Sequence, residues 1–524
     1  MTTTSGSIAV LLSIALFGAT AGAQEASNPV QPADKTVDKA EATTTTPPAV
    51  AGVSGVRIVR LSQVNGDVQL DRKTDNGFET AFANLPIAQN QRLQTHEGLA
   101  EIEFEDNSTL RITPNTQIEF PALQRTSSGS TITTIKLLTG TLYVSLAGTK
   151  GNEFTVALGN DTIAITPSTH IRIDTDASKS KLAVFNGSVQ VTNSSGTTTV
   201  GKNKTLAFDA STQAPSVLAK NEEPGAFDEW DKKEMDYHSL RSVPASFAGG
   251  GSSYLYGIND LNYYGSFSNI GGCGSMWRPY LASASFDPFA NGVWAWYPGA
   301  GYSWVSPYPW GWTPFHYGSW SYCSNGGWGW QPGGQWTGIA NYQTALNPAR
   351  CTTCPKPPRA PVTGQSTLVV VNNKPLAVSK LSSSSDTFVF HKDSAGLGVP
   401  RQSFGNLNKI SSGVAQHGSV STPAYVSNPG GLNEHGNNSW ADRQHNAQGQ
   451  SHNTEAQRSN TASTHTDQSS HNSGNWSGAS HGSSPNQSAG GGGGGWSGGG
   501  SHASSPAPSA PSGGASPASA PSHH

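Results

Sequence analysis

Ala100-Glu101-Ile102-Glu103-Phe104-Glu105-Asp106-Asn107-Ser108-Thr109-Leu110-Arg111-Ile112 is the stretch that decides the fold class. Ala100, Ile102 and Phe104 alternate with three glutamates, Asp106-Asn107 turns the chain, and Leu110 and Ile112 resume the apolar face. A period of two belongs to a strand with one face buried and the other in water. The pattern therefore predicts that Glu101, Glu103 and Glu105 are ordinary solvated charges. Upstream, Val56 to Val64 meets Asp67 to Leu70 across Asn65-Gly66; downstream, Lys181 to Phe185 meets Ser188 to Thr192 across Asn186-Gly187. Both dipeptides accept positive φ, so both predict two-residue hairpins. Further strands are expected at Thr131 to Leu138, Thr141 to Leu146, Glu153 to Leu158, Thr162 to Thr166 and His170 to Asp174, with Lys204 to Phe208 closing the set. Many short strands with regular turns make residues 56–209 an all-β domain, a β-sandwich or a short β-solenoid. About 150 residues is ample for one core.

Four segments in that domain carry a family resemblance. Leu93-Gln94-Thr95, the run Phe104 to Thr116, Leu138 to Val144 and Val184 to Val191 resemble the successive motifs of the FecR domain. That domain is the periplasmic part of regulators in ferric-citrate signalling and recurs in exported bacterial proteins. Asn107 stands where the family usually has Gly, and Ser168-Thr169 where a Gly-Thr pair is typical. Asn accepts positive φ, so the first change is benign. The resemblance implies an exported domain that mediates protein contacts. The transmembrane-regulator role of the name-giving protein is not expected, because no transmembrane helix precedes the domain.

Composition and the N-terminus set the compartment. Ile8 to Phe17 is a short apolar run followed by Ala21-Gly22-Ala23, the pattern of a signal peptide over residues 1–23 with no basic residue before it. Residues 24–55 read as a disordered linker. No later apolar run approaches membrane-spanning length, so no integral membrane segment is expected in the mature chain, which is read as periplasmic or extracellular. A formal net charge of −3 gives no basic excess, which argues against a nucleic-acid partner. In an oxidising compartment Cys273, Cys323, Cys351 and Cys354 read as disulfides: Cys273 with Cys323, and Cys351 with Cys354 either paired or free. Cys351-Thr-Thr-Cys354 sits in a Pro-rich loop, where a lowered thiol pKa is not expected.

The tryptophans are periodic. Ten of the 14 fall between Trp277 and Trp336, so they mark a module and not a background composition. Pro288-Phe289 recurs as Pro314-Phe315, Gly292-Val293-Trp294 as Gly318-Ser319-Trp320, and Gly301 to Trp304 as Gly327 to Trp330, each 26 residues on. A degenerate earlier copy supplies Gly265-Ser266-Phe267 and Trp277. Such a repeat implies one stacked supersecondary unit, here a β-hairpin whose aromatics (Trp294 and Trp296, Trp310 and Trp312, Trp328 and Trp330) share a strand face. The run Gly301 to Trp320 resembles a Trp-rich module of unknown function seen downstream of FecR-type domains; that likeness spans roughly Phe227 to Trp336. The rings fill a small Gly-rich core, with a minority left exposed for an envelope glycan or a protein partner. The candidate ligand-binding set is Trp294, Trp296, Trp304, Trp310, Trp312, Tyr317, Trp320, Trp328 and Trp330.

A helix is expected over Ala226 to Tyr237, so residues 225–345 form a helix plus the Trp-rich β-repeat module. Residues 346–410 read as a Pro-rich loop with short strands, and 411–524 as a disordered Ser/Gly/His/Pro-rich tail whose histidines bind metal weakly at most. The chain lacks G-x-S-x-G, H-E-x-x-H and phosphate-loop motifs. His170 reads as a surface strand position, and His316 as oriented by neighbouring rings. No catalytic residue, resident metal or cofactor is expected. The functional expectation is an exported, non-enzymatic binding or scaffold protein of the cell envelope. The alternatives are a ligand-sensing component of FecR-type signalling with a separate membrane partner, and a structural surface protein.

Overall fold

Alternation around Ala100 builds the hairpin it predicts: Leu99–Glu103 pairs antiparallel with Thr109–Ile112, setting Ala100 opposite Ile112 and Ile102 opposite Leu110. Asn107 takes φ 69° in the turn, the conformation that lets it replace Gly. The computed structural model of the protein describes residues 56–176, 179–209, 216–218, 224–239, 256–342 and 354–424. The expected signal peptide, the linker, Cys351 and everything beyond residue 424 lie outside them.

Around that hairpin the N-terminal domain is a sandwich. In its first sheet the order is Pro86–Ile87, Val59–Asn65, Leu99–Glu103, Thr109–Ile112, the second half of Thr131–Ser145, His170–Thr175, Lys179–Asn186, Lys204–Asp209 and Ser216–Leu218. Every neighbour there is antiparallel. The second sheet runs Phe78–Thr80, Val68–Asp71, Arg92–Thr95, Gln117–Arg125, the first half of Thr131–Ser145, Glu153–Leu158, Asp161–Ile165, Ser188–Asn193 and Gly196–Gly201. It contains one parallel pair, Glu153–Leu158 beside Thr131–Ser145. The shared long strand bends at Gly140 (φ 93°), so hydrogen bonding runs on through all 17 strands. Between the sheets lies one apolar core that includes Ile102, Leu110, Leu142, Ile173 and Leu182 of the first sheet, and Leu70, Leu93, Ile118, Val156 and Val191 of the second.

Two hairpins expected from the sequence do not form. Val59–Asn65 pairs with Leu99–Glu103 and Val68–Asp71 with Arg92–Thr95, so Asn65-Gly66 carries the chain from one sheet to the other. Asn186-Gly187 does the same between Lys179–Asn186 and Ser188–Asn193. Of each Asn-Gly pair only the glycine takes positive φ (74° at Gly66, 78° at Gly187), and it serves a corner. A Cβ on Gly187 would strike Thr169, which leaves no room for another residue.

The aromatic repeat does form three hairpins. Gly265–Ile270 pairs with Gly274–Pro279, Asn291–Tyr297 with Gly301–Val305, and Ser319–Cys323 with Gly327–Gln331. In register, Phe267 faces Trp277, Trp294 faces Trp304, and Trp320 faces Trp330. The glycine two residues before each first aromatic has a physical cause. A Cβ on Gly265, Gly292 or Gly318 would enter the indole of Trp277, Trp304 or Trp330 respectively. Each repeat is thus a hairpin whose second-strand Trp lies across a missing side chain on the first. Gly292→Ala is expected to overpack this contact and cost about 1–3 kcal/mol, measured as a fall in the urea midpoint at unchanged slope.

The rest of the module departs from the expected stacking. The first and third hairpins join in one four-stranded sheet through Trp277 opposite Trp330, while the middle hairpin pairs instead with Leu368–Asn372. Trp310-Gly311-Trp312 is not a strand; it leads into the short helix Thr313–His316, because Pro314 at its start favours a helical turn. Residues 411–424 are also ordered, contrary to the expected tail boundary. The helix Leu407–His417, capped by the Asn406 side chain, leads to Ser419–Pro423, which pairs with Thr387–His391. Leu407 and Val414 enter the aromatic core, an apolar pair in a stretch too polar overall to show a period.

Candidate functional site

One transverse row of the first sheet is polar. Register places Gln63 opposite Glu101, Glu101 opposite Arg111, Arg111 opposite Tyr143, and Tyr143 opposite Arg172. These residues point away from the sandwich core, the side the alternation assigned to solvent. That assignment is overturned: Glu101 is 0% exposed, Glu103 1% and Glu105 4%. The helix Asp228–Ser239, the helix Ile258–Tyr264 and Arg401 cover most of this face, and Glu105 is closed over by Arg57 and Arg125 at 2.8 and 2.7 Å.

Beneath that cover is a buried ionic layer. Glu101 accepts from Arg111 Nε (2.9 Å), Arg401 Nη1 (2.7 Å) and Ser62 Oγ (2.7 Å), with His238 Nε2 at 3.0 Å. Glu103 accepts from Arg60 Nη1 and from the Gly257 amide, both at 2.9 Å. Asp260 takes Arg401 on two atoms at 3.0 Å each, Arg60 at 2.7 Å and the Tyr237 hydroxyl at 2.7 Å. Asp231 holds Arg111 Nη1 (2.8 Å) and His170 Nε2 (2.7 Å). His170 is therefore no surface position; the helix lies over its strand. Asp228 accepts from Arg172 and Tyr143, each at 2.8 Å.

Burial and charge pull these groups in opposite directions. Burial works to raise the Glu101 carboxyl, but His238, Arg111 and Arg401 outweigh it and hold it well below the usual range. Asp260 is likewise lowered against its own burial by Arg401 and Arg60, and Asp228 by Arg172. Glu234 goes the other way: burial, then repulsion from Glu101, pushes it up. Buried pairs of this kind add little net stability when complete and are costly when one partner is removed.

The aromatic candidates divide by exposure. Trp294, Trp304, Trp310, Trp312, Tyr317, Trp320 and Trp330 are buried, whereas Trp296 and Trp328 are half-buried. Trp310 stacks on Tyr308 at 5.0 Å and meets Trp277 at 5.0 Å and Trp320 at 5.8 Å. The Nε1 atoms of Trp310 and Trp330 donate to Ala395 O and Tyr317 O. Those of Trp294, Trp304, Trp312 and Trp320 have no acceptor among the described residues. Tyr322, absent from the candidate set, is 63% exposed and meets Trp328 edge-on at 5.6 Å. The repeat offset carried that signal, since Tyr322 stands 26 residues after Trp296. Cys323, next to it, is disulfide-bonded to Cys273, tying the third hairpin to the first. Cys354 is also disulfide-bonded. His316 lies between Trp312 (4.1 Å) and Trp336 (5.2 Å), its Nδ1 on Gly338 O, and burial pushes its pKa down to about 3.

Among the described residues no cluster of three His, Cys, Asp or Glu side chains is placed to hold a metal, and no helix is long and apolar enough to cross a membrane. No curated protein matches the sequence. Two crystal structures of a candidate anti-sigma factor from Parabacteroides distasonis, at 1.65 and 2.50 Å, are similar at 11% identity, with TM-scores of 0.21 and 0.22. The match covers 24% of this chain and 58% of that one, so this chain spans little more than half of its neighbour's length. Family models match at residues 91–190 (FecR protein) and 258–359 (family of unknown function, DUF6600). The chain carries a FecR domain in its β-sandwich and a DUF6600 region in its aromatic module.

Proposed function

We propose that the protein is an exported, non-enzymatic binding or scaffold protein of the cell envelope, whose two modules act as one body toward a protein partner. What supports this reading is the use made of its titratable groups. The carboxylates, guanidiniums and imidazoles of the ionic layer are spent on joining the modules, and they do not line an open cleft. Tyr322 beside Trp328, on a disulfide-tethered hairpin, is the rigid amphipathic contact on which binding energy concentrates.

The test uses the full chain with a photo-crosslinking residue at position 322. The expected result is a discrete protein adduct from envelope fractions. Trp328→Ala should lower its yield about tenfold, the equivalent of about 1.4 kcal/mol. Retention on cell-wall polysaccharide with quenching of Trp fluorescence would move the reading to a glycan, and turnover of that polysaccharide would replace it with a hydrolase. The FecR match also favours a second reading, a ligand-sensing part of envelope signalling with a separate membrane partner. Dependence of the adduct on a small ligand would favour it.

A further inference from the structure

We propose that the polar row of the FecR-like sheet is a docking surface for a helix with an acidic face, held shut by the chain's own helix Asp228–Ser239 until a partner of that chemistry displaces it. This surface is distinct from the Tyr322 hairpin.

Complementarity sets the kind of partner. The helix presents Asp228, Asp231 and Glu234 at three-residue spacing, so the three carboxylates lie along one face. Asp228 sits on Arg172 and Tyr143, Asp231 on Arg111 and His170, and Glu234 is reached by Gln63 Nε2 at 3.3 Å. His238 closes the row on Glu101. A bound helix thus needs carboxylates at the first two positions, where the sheet supplies cations.

Two observations make the resident helix exchangeable. Its buried aromatic side chains lie outside both cores: Trp230 meets Phe227 edge-on at 6.5 Å, and Tyr237, which donates to Asp260, touches the aromatic core through Tyr263 at 6.2 Å. The seam is also imperfectly satisfied. Arg111 Nη2, Gln63 Oε1 and Glu234 Oε2 are buried without a hydrogen-bond partner among the described residues. Glu234 Oε2 lies 3.7 Å from Arg401 Nη1, and its carboxylate is set against Glu101. Buried polar atoms left unmet penalise the closed state. A competing helix with a neutral amide at the Glu234 position escapes that repulsion and fits better than the resident one.

The experiment uses the full-length protein and a fluorescein-labelled peptide of residues 224–239 carrying Glu234→Gln, read by anisotropy at low salt. The peptide is expected to bind the Asp231→Asn protein at least tenfold more tightly than wild type, since that change loosens the resident helix. Adding Arg172→Met should abolish binding, and near-ultraviolet dichroism should confirm that both variants are folded. Equal affinity for wild type and Asp231→Asn, or binding that survives Arg172→Met, overturns the proposal. So does dimerisation of Asp231→Asn, which would make a second copy the occupant. Hydrogen exchange on the wild type needs no variant: amides of Asp228–Ser239 should exchange at least tenfold faster than those of Thr109–Ile112 and His170–Thr175. Equal protection of helix and strands also overturns it.

Discussion

Arg401→Ala is expected to cost about 3–5 kcal/mol and to loosen the C-terminal segment from the sandwich. Arg401 reaches across 300 residues of sequence to Glu101 and clamps Asp260 with two further nitrogens. Removing it takes from Asp260 its largest counter-charge and from Glu101 one of three, and the guanidiniums that remain on these carboxylates, Arg60 and Arg111, are shared with Glu103 and Asp231. Lys should rescue poorly, because a single ammonium cannot span Glu101 and Asp260 in the guanidinium's planar geometry. Urea unfolding followed by Trp fluorescence checks this, and a variant within 1 kcal/mol (about fivefold in the equilibrium constant) of wild type would refute it. Acid should act on the same contacts. Glu101, Asp228 and Asp260 have lowered folded-state pKa values, so the stability they lend is present above the unfolded carboxylate range, near pH 4, and is lost as pH falls through the folded values. Glu234 has the opposite sign: its raised value favours the folded state when protonated, a contribution lost as pH rises through it.

Trp310→Ala should be comparably severe, at about 3–5 kcal/mol. The indole is fully buried among Tyr308, Trp277, Trp320 and Phe286, and its N–H donates to Ala395 O at 2.7 Å. Truncation removes the rings' shared contact and orphans a carbonyl that helps hold the C-terminal segment. Trp328→Ala, at a half-buried site where the ring meets the buried Phe289 edge-on at 5.3 Å, should cost less, about 1–2 kcal/mol of stability, while weakening partner capture. Thermal unfolding of the two variants separates core rings from binding rings. Equal losses at both sites would mean that the tip pair is structural too.

Local sequence pattern was sufficient for several elements. Alternation located the strands around Ala100, and the repeat located three hairpins and the glycines that their indoles require. The acid-rich segment at Phe227 announced the helix Asp228–Ser239, and the even number of cysteines pointed to disulfides, of which Cys273–Cys323 forms as expected. Each of these depends on neighbours a few residues apart or on chemistry that a residue type carries everywhere.

Other features were decided by the tertiary structure. A period of two states that a strand has two different faces; it does not state that the polar face meets water. Glu101 and Glu103 are buried because groups 137 to 300 residues away close over them, and each charge is compensated only in that assembly. The Asn-Gly corners follow the same logic, since positive φ allows a reversal or a change of sheet, and the partner strand selects which. Residues 407–424 carry too little apolar periodicity to predict order by themselves; they fold because Leu407 and Val414 find an aromatic core built elsewhere. What the sequence determined by itself is therefore local conformation and sidedness. What each side faces is a long-range property, because burial is a free energy shared with whatever packs on top.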